Sequence, residues 1–252
     1  MIEIFILSLI QGITEFLPIS SSSHLYLLSN YINFENQSLS IDVSLHIGSF
    51  IAVIIYFKKE LINFARNKQL LLKILISSVP TMILGLVLVQ TNFIEKIRNI
   101  EVIAWTTIIF GILLYISDNF KLNKEIKKDF DYKSVFFIGF FQMISLIPGV
   151  SRSGITITAA RFLQFKRLDA AKISFLISIP TLAAVSFFGF YNLAIHQEIS
   201  FSLINFLSIL LSFFFSYLTI KYFLKYIQKF SLKIFVVYRI ILGIILLTII
   251  YL

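Results

Sequence analysis

Six long runs of apolar residues alternate with short polar connections along most of the chain. A helix needs about 20 apolar residues to cross a bilayer, and only helices satisfy their own backbone hydrogen bonds in lipid where barrel-like alternation is missing. The pattern therefore predicts an all-α polytopic membrane protein with six transmembrane helices. The spans are predicted at 41–57, 71–90, 102–118, 172–191, 201–223 and 233–252.

Two further apolar stretches, at 2–32 and 134–163, are interrupted by polar residues, glycine and proline. We name the interruptions the first break, QGITEFLPISSSSH (residues 11–24), and the second break, PGVSRSGIT (residues 148–156). Irregular backbone at membrane depth persists only where protein buries it or where it lines an aqueous cavity. The breaks therefore predict two re-entrant helix hairpins that meet at one wet cavity inside the bilayer.

The overall composition agrees with a membrane protein and removes some kinds of chemistry. Of the 252 residues 58% are hydrophobic, and the mean hydropathy is +0.91, which is too apolar for a soluble domain of this size. The first residues, MIEIFILSLI, have no basic start and no small-residue cleavage site, so we expect them to belong to the fold rather than to a removable signal peptide. The sequence contains no cysteine, which excludes disulfides and thiolate chemistry.

The net charge of +9 indicates membrane orientation rather than binding to nucleic acid. Most of the 22 lysines and arginines lie in four connections, at 58–73, 121–133, 166–172 and 221–233. By the positive-inside rule these connections face the cytoplasm, where they also meet anionic lipid headgroups. The hairpin at 2–32 then begins and ends outside, the hairpin at 134–163 begins and ends inside, and both chain termini lie outside.

The opposite orientation of the hairpins predicts an inverted-topology repeat within a single membrane domain. Repeat one covers about 1–120 and repeat two about 134–252, each with one hairpin followed by three spans. Two internal likenesses support this division: LIQGITEFLPISSSS resembles FFQMISLIPGVSRSG, and SSVPTMI around Pro80 resembles ISIPTLA around Pro180. We expect the two prolines themselves to kink their helices.

The second break has the composition of an anion-binding helix start. Unpaired backbone N–H groups and the helix dipole favour an anion at such a position, and an arginine fork matches phosphate oxygens in pairs. We therefore predict a substrate-phosphate site formed by Gly149, Ser151, Arg152, Ser153 and Gly154. The structural alternative is a serine cap beside an arginine that only extends to the membrane surface.

The first break offers hard oxygen ligands and a titratable carboxylate. Gln11 and Glu15 are four residues apart, so they share one face of a helix. We expect them to hold a divalent cation, Mg²⁺ or Ca²⁺, that bridges the protein and a phosphate. The alternatives are that Glu15 acts as a base, or that it forms only an ion pair with Arg152.

Four serines and a histidine follow Pro18 in the first break. A serine that attacks phosphorus needs a group that takes its proton and protonates the leaving oxygen, and histidine does both near neutral pH. His24 is the predicted acid–base, because His46 and His196 are less central. Alternatively the serines cap the second half-helix and His24 only binds a carbonyl group.

Four charged residues elsewhere are expected to have structural roles. Asp42 is the predicted N-cap of the first span, with His46 lining the same helix one turn later. Arg161 and Arg239 lie near cytoplasmic helix ends, and we expect both to extend toward the membrane surface.

These residues together resemble those of the undecaprenyl-diphosphate phosphatase family, bacterial enzymes linked to bacitracin resistance, over nearly the whole chain. The family pattern of Glu or Gln followed four residues later by Glu is met by Gln11 and Glu15. The pattern PGxSRSxxT is met from Pro148 to Thr156, which adds Thr156 to the expected phosphate site. Both patterns together are highly specific for the family.

The resemblance also implies the remaining site residues. Ser21 and His24 match active-site positions of the family. Gln11 and Ser23 depart from its commonest form, which has glutamate and glycine there, and Gln11 puts the strength of metal binding in doubt. In the resulting hypothesis Ser21 or a water molecule attacks, His24 shuttles protons, and Arg152 holds the diphosphate.

The function that the resemblance implies is hydrolysis of undecaprenyl diphosphate to the monophosphate and inorganic phosphate, which recycles the lipid carrier for peptidoglycan. It implies a divalent cation, a place in the bacterial inner membrane and an active site that opens to the extracytoplasmic side. The expected partners are the isoprenoid lipid diphosphate and membrane lipids. Whether two copies form a homodimer is left open.

Two other classes of protein compete with this hypothesis. An isoprenoid-lipid flippase or transporter uses the same inverted-repeat cavity. A type 2 phosphatidate phosphatase needs a histidine downstream of its Ser-Arg motif, and here none follows Arg152 until His196, so that class fits poorly.

Overall fold

The computed structural model describes residues 1–31, 38–66, 68–195 and 202–252. Regular structure in these residues is helical, apart from one isolated bridge between Lys124 and Phe165. His196 lies outside the described residues. In chain order the helices are α1 (Ile2–Thr14), α2 (Ser21–Tyr31), α3 (Leu39–Tyr56), α4 (Lys58–Arg66), α5 (Lys68–Gln90), α6 (Phe93–Ile97), α7 (Ile100–Asp118), α8 (Ile126–Asp129), α9 (Tyr132–Ile144), α10 (Arg152–Phe162), α11 (Arg167–Ile195), α12 (Leu203–Ile227) and α13 (Lys233–Tyr251).

Within the described ranges, six helices are long and apolar enough to cross a membrane: α3, α5, α7, α11, α12 and α13. They correspond to the six predicted spans, so the prediction of an all-α polytopic membrane protein is confirmed. The start of α11 differs most from the prediction. It begins at Arg167 rather than at 172, because its charged first turn continues the helix beyond the apolar run.

Four shorter helices flank the two breaks. α1, α2, α9 and α10 have 13, 11, 13 and 11 residues. At about 1.5 Å per residue, none of them reaches across the roughly 30 Å of a bilayer's hydrocarbon core. α1 packs against α2, and α9 packs against α10, so each pair is a helix hairpin. Insertion of these hairpins from opposite membrane faces stays a prediction.

Several of the helix contacts have counterparts when the two predicted repeats are exchanged. α1 packs on α12 as α9 packs on α5, and α3 packs on α12 as α11 packs on α5. The pairs α3–α11 and α7–α13 join counterparts directly. A pseudo-twofold relation requires this pattern, which supports the predicted division. The likeness around Pro80 and Pro180 does not support this division. Pro80 is in α5, the second long helix of its half, whereas Pro180 is in α11, the first long helix of the other half.

The start of α3 corrects the expectation for Asp42. Ser38 is the N-cap, and its hydroxyl oxygen accepts from the backbone N–H of Ile41 at 3.3 Å. The helix begins earlier than the apolar pattern indicated and places Asp42 in its first turn, where a carboxylate still suits the helix dipole. His46 Nδ1 lies 2.8 Å from the carbonyl oxygen of Asp42.

Arg161 is fully buried, so the expectation that it extends to the membrane surface is wrong. Its guanidinium donates to the backbone carbonyls of Asp118 and Phe120. The Asp118 carboxylate accepts from Arg167 Nε at 2.6 Å and from the backbone N–H of Leu232 at 3.0 Å. These acceptors at the end of α7 hold the arginine inside, and the cluster ties together the ends of α7, α10, α11 and α13.

Candidate active site

The Glu15 carboxylate lies at the centre of the contacts between the two breaks. Glu15 is the C-cap residue of α1, and it is buried. Its Oε2 accepts from Gln11 Nε2 at 3.0 Å and from Ser21 Oγ at 2.6 Å, while its Oε1 lies 2.5 Å from Arg152 Nη2. The structure thus brings together three residues of the first break and the arginine of the second.

Arg152 reaches Glu15 from the first position of α10. Its other terminal nitrogen, Nη1, donates to Thr181 Oγ1 on α11 at 2.8 Å. The ion pair with Glu15 is mostly shielded, with exposed side-chain fractions of 17% for the arginine and 8% for the glutamate. The alternative of an arginine that only extends to the membrane surface is therefore wrong, and the ion pair between Glu15 and Arg152, which was the other structural alternative, is present in the molecule.

The backbone of the second break folds sharply ahead of α10. Gly149 has φ of +88°, and Ser151 has φ of +70°, which is costly for a residue with a Cβ. Ser151 caps α10, because its hydroxyl oxygen accepts from the Gly154 N–H at 3.1 Å. The Ser153 hydroxyl donates to the carbonyl oxygen of Leu17 at 2.6 Å. The strained turn therefore places the start of α10 directly against the first break.

Two residues of the predicted phosphate site, Thr156 and Gly154, pack against neighbouring helices. Thr156 is buried and donates to Ser174 Oγ on α11 at 2.7 Å. A Cβ on Gly154 would lie 2.9 Å from Arg239 Nη1, so this glycine makes room for an arginine of α13. Gly111 on α7 also makes room for Arg239, because a Cβ added at Gly111 would lie 3.2 Å from the Cβ of Arg239.

The His24 ring forms its hydrogen bonds with residues other than Ser21, although the sequence suggested that it takes the proton of a serine. Its Nδ1 lies 2.6 Å from the carbonyl oxygen of Ser20, and its Nε2 lies 2.6 Å from the hydroxyl of Tyr238 on α13. The Ser21 hydroxyl donates to Glu15 instead. The geometry therefore makes Glu15, rather than His24, the group that can take the proton of Ser21.

Arg239 is a further residue of the site, and its predicted role was wrong. It is fully buried in the middle of the protein rather than extended toward the surface. Its Nη1 donates to the carbonyls of Pro18 and Val150, its Nη2 to that of Gly149, and its Nε to that of Thr107. One guanidinium therefore holds the turns of both breaks against α7. The sequence signal is a charged residue inside an otherwise apolar span, which is a functional candidate by default.

The donor set for a divalent cation consists of the Gln11 and Glu15 oxygens. Gln11 Oε1 is buried and has no hydrogen-bond partner within the described residues. Glu15 accepts three hydrogen bonds, and a carboxylate has about four acceptor positions. Across the described ranges no three His, Asp or Glu residues are grouped as a metal site. The residues therefore fit a cation only if a bound phosphate supplies further oxygens, as is usual for Mg²⁺.

An apolar groove with a volume of about 400 Å³ is lined on one side by residues of the first break. Ile13 and Leu17, which flank Glu15 in sequence, form one wall. The other walls are aromatic and aliphatic residues of α12 and α13, among them Phe215, Tyr222 and Phe235. A groove of this character suits a hydrocarbon chain.

The fold and the site define a multi-pass membrane protein in which two helix hairpins join a carboxylate, a serine and an arginine in one shielded cluster. A family profile described as "Bacitracin resistance protein BacA" matches residues 4–245. The chain belongs to this BacA family.

Curated relatives agree with the family over almost the full chain. A protein of Pelagibacter ubique (strain HTCC1062) named undecaprenyl-diphosphatase is 51% identical over 251 residues, which cover 99% of this chain and 98% of the relative. Undecaprenyl-diphosphatases of Saccharophagus degradans and of Jannaschia sp. (strain CCS1) are 41% and 38% identical, with coverage of 94% and 98% of this chain and 93% and 98% of the relatives. The family resemblance stated from the sequence motifs is confirmed.

Proposed function

We propose that the chain is an undecaprenyl-diphosphatase, which hydrolyses undecaprenyl diphosphate to undecaprenyl phosphate and inorganic phosphate. Membership of the BacA family and the names of its relatives support this activity. The observation in the structure that carries it is the contact of Ser21 Oγ with Glu15 Oε2 at 2.6 Å, beside Arg152. A nucleophile, a base and a cation for phosphate stand together there, as phosphoryl transfer requires.

In the first half of the reaction, Ser21 Oγ attacks the terminal phosphorus and its proton passes to Glu15. The bond between that phosphorus and the bridging oxygen breaks, and undecaprenyl phosphate leaves. Arg152 gives up part of its contact with Glu15 to bind the phosphate oxygens, whose charge spreads in the transition state. The N–H groups at the start of α10 add fixed dipoles on the same oxygens.

In the second half, a water molecule attacks the phosphoserine, its proton passes to His24, and His24 then releases that proton to the solvent. The bond between phosphorus and Ser21 Oγ breaks, Ser21 regains its proton from Glu15, and inorganic phosphate leaves. His24 therefore acts on the water rather than on the serine, which agrees with its contacts to Ser20 and Tyr238. Direct attack by water without a phosphoserine is the alternative mechanism.

A divalent cation, Mg²⁺ or Ca²⁺, would be held by Glu15 and Gln11 together with oxygens of the diphosphate. When bound, it supplies positive charge that offsets the charge of the diphosphate. The isoprenoid tail would occupy the apolar groove beside Leu17 and continue into the lipid.

The proposed enzyme lies in the bacterial inner membrane with its site open to the extracytoplasmic side and both chain termini outside. The basic connections described above support this orientation. A flippase with the same cavity is disfavoured, because carrying a lipid needs neither a nucleophile nor a base beside it. Pairing of two copies into a homodimer is a separate prediction that cross-linking in native membranes would test.

Phosphate release from undecaprenyl diphosphate by the protein purified in detergent tests the proposal. Ser21→Ala and Arg152→Ala are expected to lose about 100-fold or more in kcat/KM, whereas Ser29→Ala and Arg98→Ala should stay near the parent rate. Ser29 and Arg98 are matched controls, because Ser29 bonds only its own helix among the described contacts and Arg98 is exposed. Trapped phosphoserine at residue 21 would select the serine mechanism. Tight lipid binding without phosphate release would favour the flippase.

A further inference from the structure

The hydrogen bonds of His24 determine which of its ring nitrogens carries the proton. The carbonyl oxygen of Ser20, 2.6 Å from Nδ1, can only accept, so Nδ1 must be the N–H donor. In the neutral ring, Nε2 then holds the free lone pair. The Tyr238 hydroxyl, 2.6 Å from Nε2, must donate its proton to that lone pair.

Tyr238 also fixes the plane of the imidazole ring. The two rings are stacked, with centroids 5.8 Å apart and planes inclined by 13°. Tyr238 belongs to α13, which is packed against α7, and the next residue is the buried Arg239 that bonds both breaks. A rigid helix of the second repeat therefore holds the phenol against a histidine of the first repeat.

From this geometry we propose that Tyr238 relays the proton of the attacking water to His24: the Ser20 carbonyl keeps the proton of the neutral ring on Nδ1, and the Tyr238 hydroxyl holds the Nε2 lone pair. The role rests on the proposed function of His24 as the group that takes the proton of the attacking water. A hydroxyl can donate to the neutral ring and accept from the protonated one. The Tyr238 hydroxyl gives its proton to Nε2 and takes the proton of the water in exchange. The Tyr238 oxygen then accepts from the new Nε2–H, and its new O–H points to the phosphate or to water.

The alternative is that Tyr238 only fills space beside the first break. Its side chain is 41% exposed, so it contributes little to the packed interior, and removal of its hydroxyl leaves the ring contact in place. Tyr238→Phe therefore separates the two roles. Tyr251→Phe is the matched control, because Tyr251 is on the same helix and its hydroxyl bonds Glu101 far from His24 in the chain.

The first measurement is steady-state phosphate release. Tyr238→Phe is expected to lower kcat by about tenfold, which is less than the roughly 100-fold or more that a positioned acid–base contributes in full, and to leave KM within about twofold of the parent value. Tyr251→Phe should change neither constant. In a His24→Ala background, Tyr238→Phe should have no further effect, because its role passes through the histidine. A parent-like kcat for Tyr238→Phe, or equal losses with and without His24, would overturn the proposal.

The second measurement does not depend on turnover. ¹⁵N-histidine NMR distinguishes a protonated from an unprotonated ring nitrogen, and the His24→Ala spectrum assigns the signal. Both the parent and Tyr238→Phe should show Nδ1–H, because the Ser20 carbonyl is unchanged, whereas the Nε2 signal should shift in Tyr238→Phe, because Nε2 loses the donor that Tyr238 supplies. An unchanged Nε2 signal in Tyr238→Phe would contradict the proposal even if the protein is active. If the parent releases no phosphate from any diphosphate, the proposed function fails, while the Nε2 signal still decides whether Tyr238 donates to His24.

Discussion

The guanidinium of Arg152 lies 2.5 Å from the carboxylate of Glu15, although the two residues are 137 positions apart in the chain. Each comes from a different hairpin, and each would be an unpaired charge in a largely shielded place without the other. Burial of an isolated charge costs far more than burial of a pair. The ion pair therefore both joins the two halves of the protein and assembles the proposed site.

Glu15→Gln tests whether this carboxylate is a base as well as an ion-pair partner. The amide keeps the shape and one acceptor oxygen, but it cannot take the proton of Ser21. We expect phosphate release to fall by about 100-fold or more, with the protein still folded in detergent. Glu101→Gln, at an exposed position on α7, is the control. An active Glu15→Gln variant would leave the carboxylate with a structural role only.

Arg239→Met tests the guanidinium that holds both breaks. The change leaves buried carbonyls at Pro18, Gly149 and Val150 without their donor, and each buried unsatisfied group costs about 1–3 kcal/mol. Thermal unfolding in detergent should therefore start at a clearly lower temperature, and activity should fall with it. The unfolding temperature of Arg239→Lys, which restores part of the donors, should lie between those of Arg239→Met and the parent. Equal melting temperatures for Arg239→Met and the parent would contradict this account.

The sequence was sufficient for the spans and for most of the site's members, because both depend on local composition. Long apolar runs predict the six spans α3, α5, α7, α11, α12 and α13, and the motifs identify Glu15 and Arg152. It was not sufficient for side-chain direction. Arg161 and Arg239 were expected at the surface, and they are buried because carbonyl groups from distant turns surround them. Only the packed helices bring those carbonyls together.

The same limit applies to His24 and its partner. Proximity in sequence suggested that His24 serves the neighbouring serines, yet its Nε2 contacts Tyr238, 214 residues away. Glu15 contacts Ser21 across the turn of the first break instead. Pairings between a hairpin and the last span depend on how the two repeats pack, and no local pattern records them.

Gly12→Ala tests the close approach of α1 and α12. A Cβ at Gly12 would lie 2.5 Å from that of Phe215 and 2.9 Å from the backbone nitrogen of Ser216, so the helices must separate. We expect a loss of about 1–3 kcal/mol in stability and reduced activity, because α1 carries Glu15. Gly85→Ala is the matched control: its nearest neighbour would be at 3.5 Å, an ordinary contact. Similar melting curves for both alanine variants would show that α1 moves without strain.

Gln11→Glu tests the proposed cation site. A second carboxylate beside Glu15 adds a charged oxygen ligand, which hard divalent cations prefer over an amide. We expect the Mg²⁺ or Ca²⁺ concentration for half-maximal activity to fall by about tenfold, roughly 1.4 kcal/mol of affinity. Titration of the metal after chelator treatment measures it, with Gln90→Glu, at an exposed helix end, as the control. An unchanged metal requirement would remove Gln11 from the cation site.

Tyr222→Ala tests whether the groove beside Leu17 holds the isoprenoid tail. Tyr222 lines the groove and its ring would lie along a bound hydrocarbon chain. Loss of that apolar contact costs about 1.5 kcal/mol, so KM for a long-chain diphosphate should rise by about tenfold. A diphosphate whose chain is too short to reach Tyr222 should keep its parent KM. Tyr115→Ala, on the exposed side of α7 and outside the groove, should change KM for neither substrate. Equal KM values for the long-chain substrate in the parent and Tyr222→Ala would place the tail away from this wall of the groove.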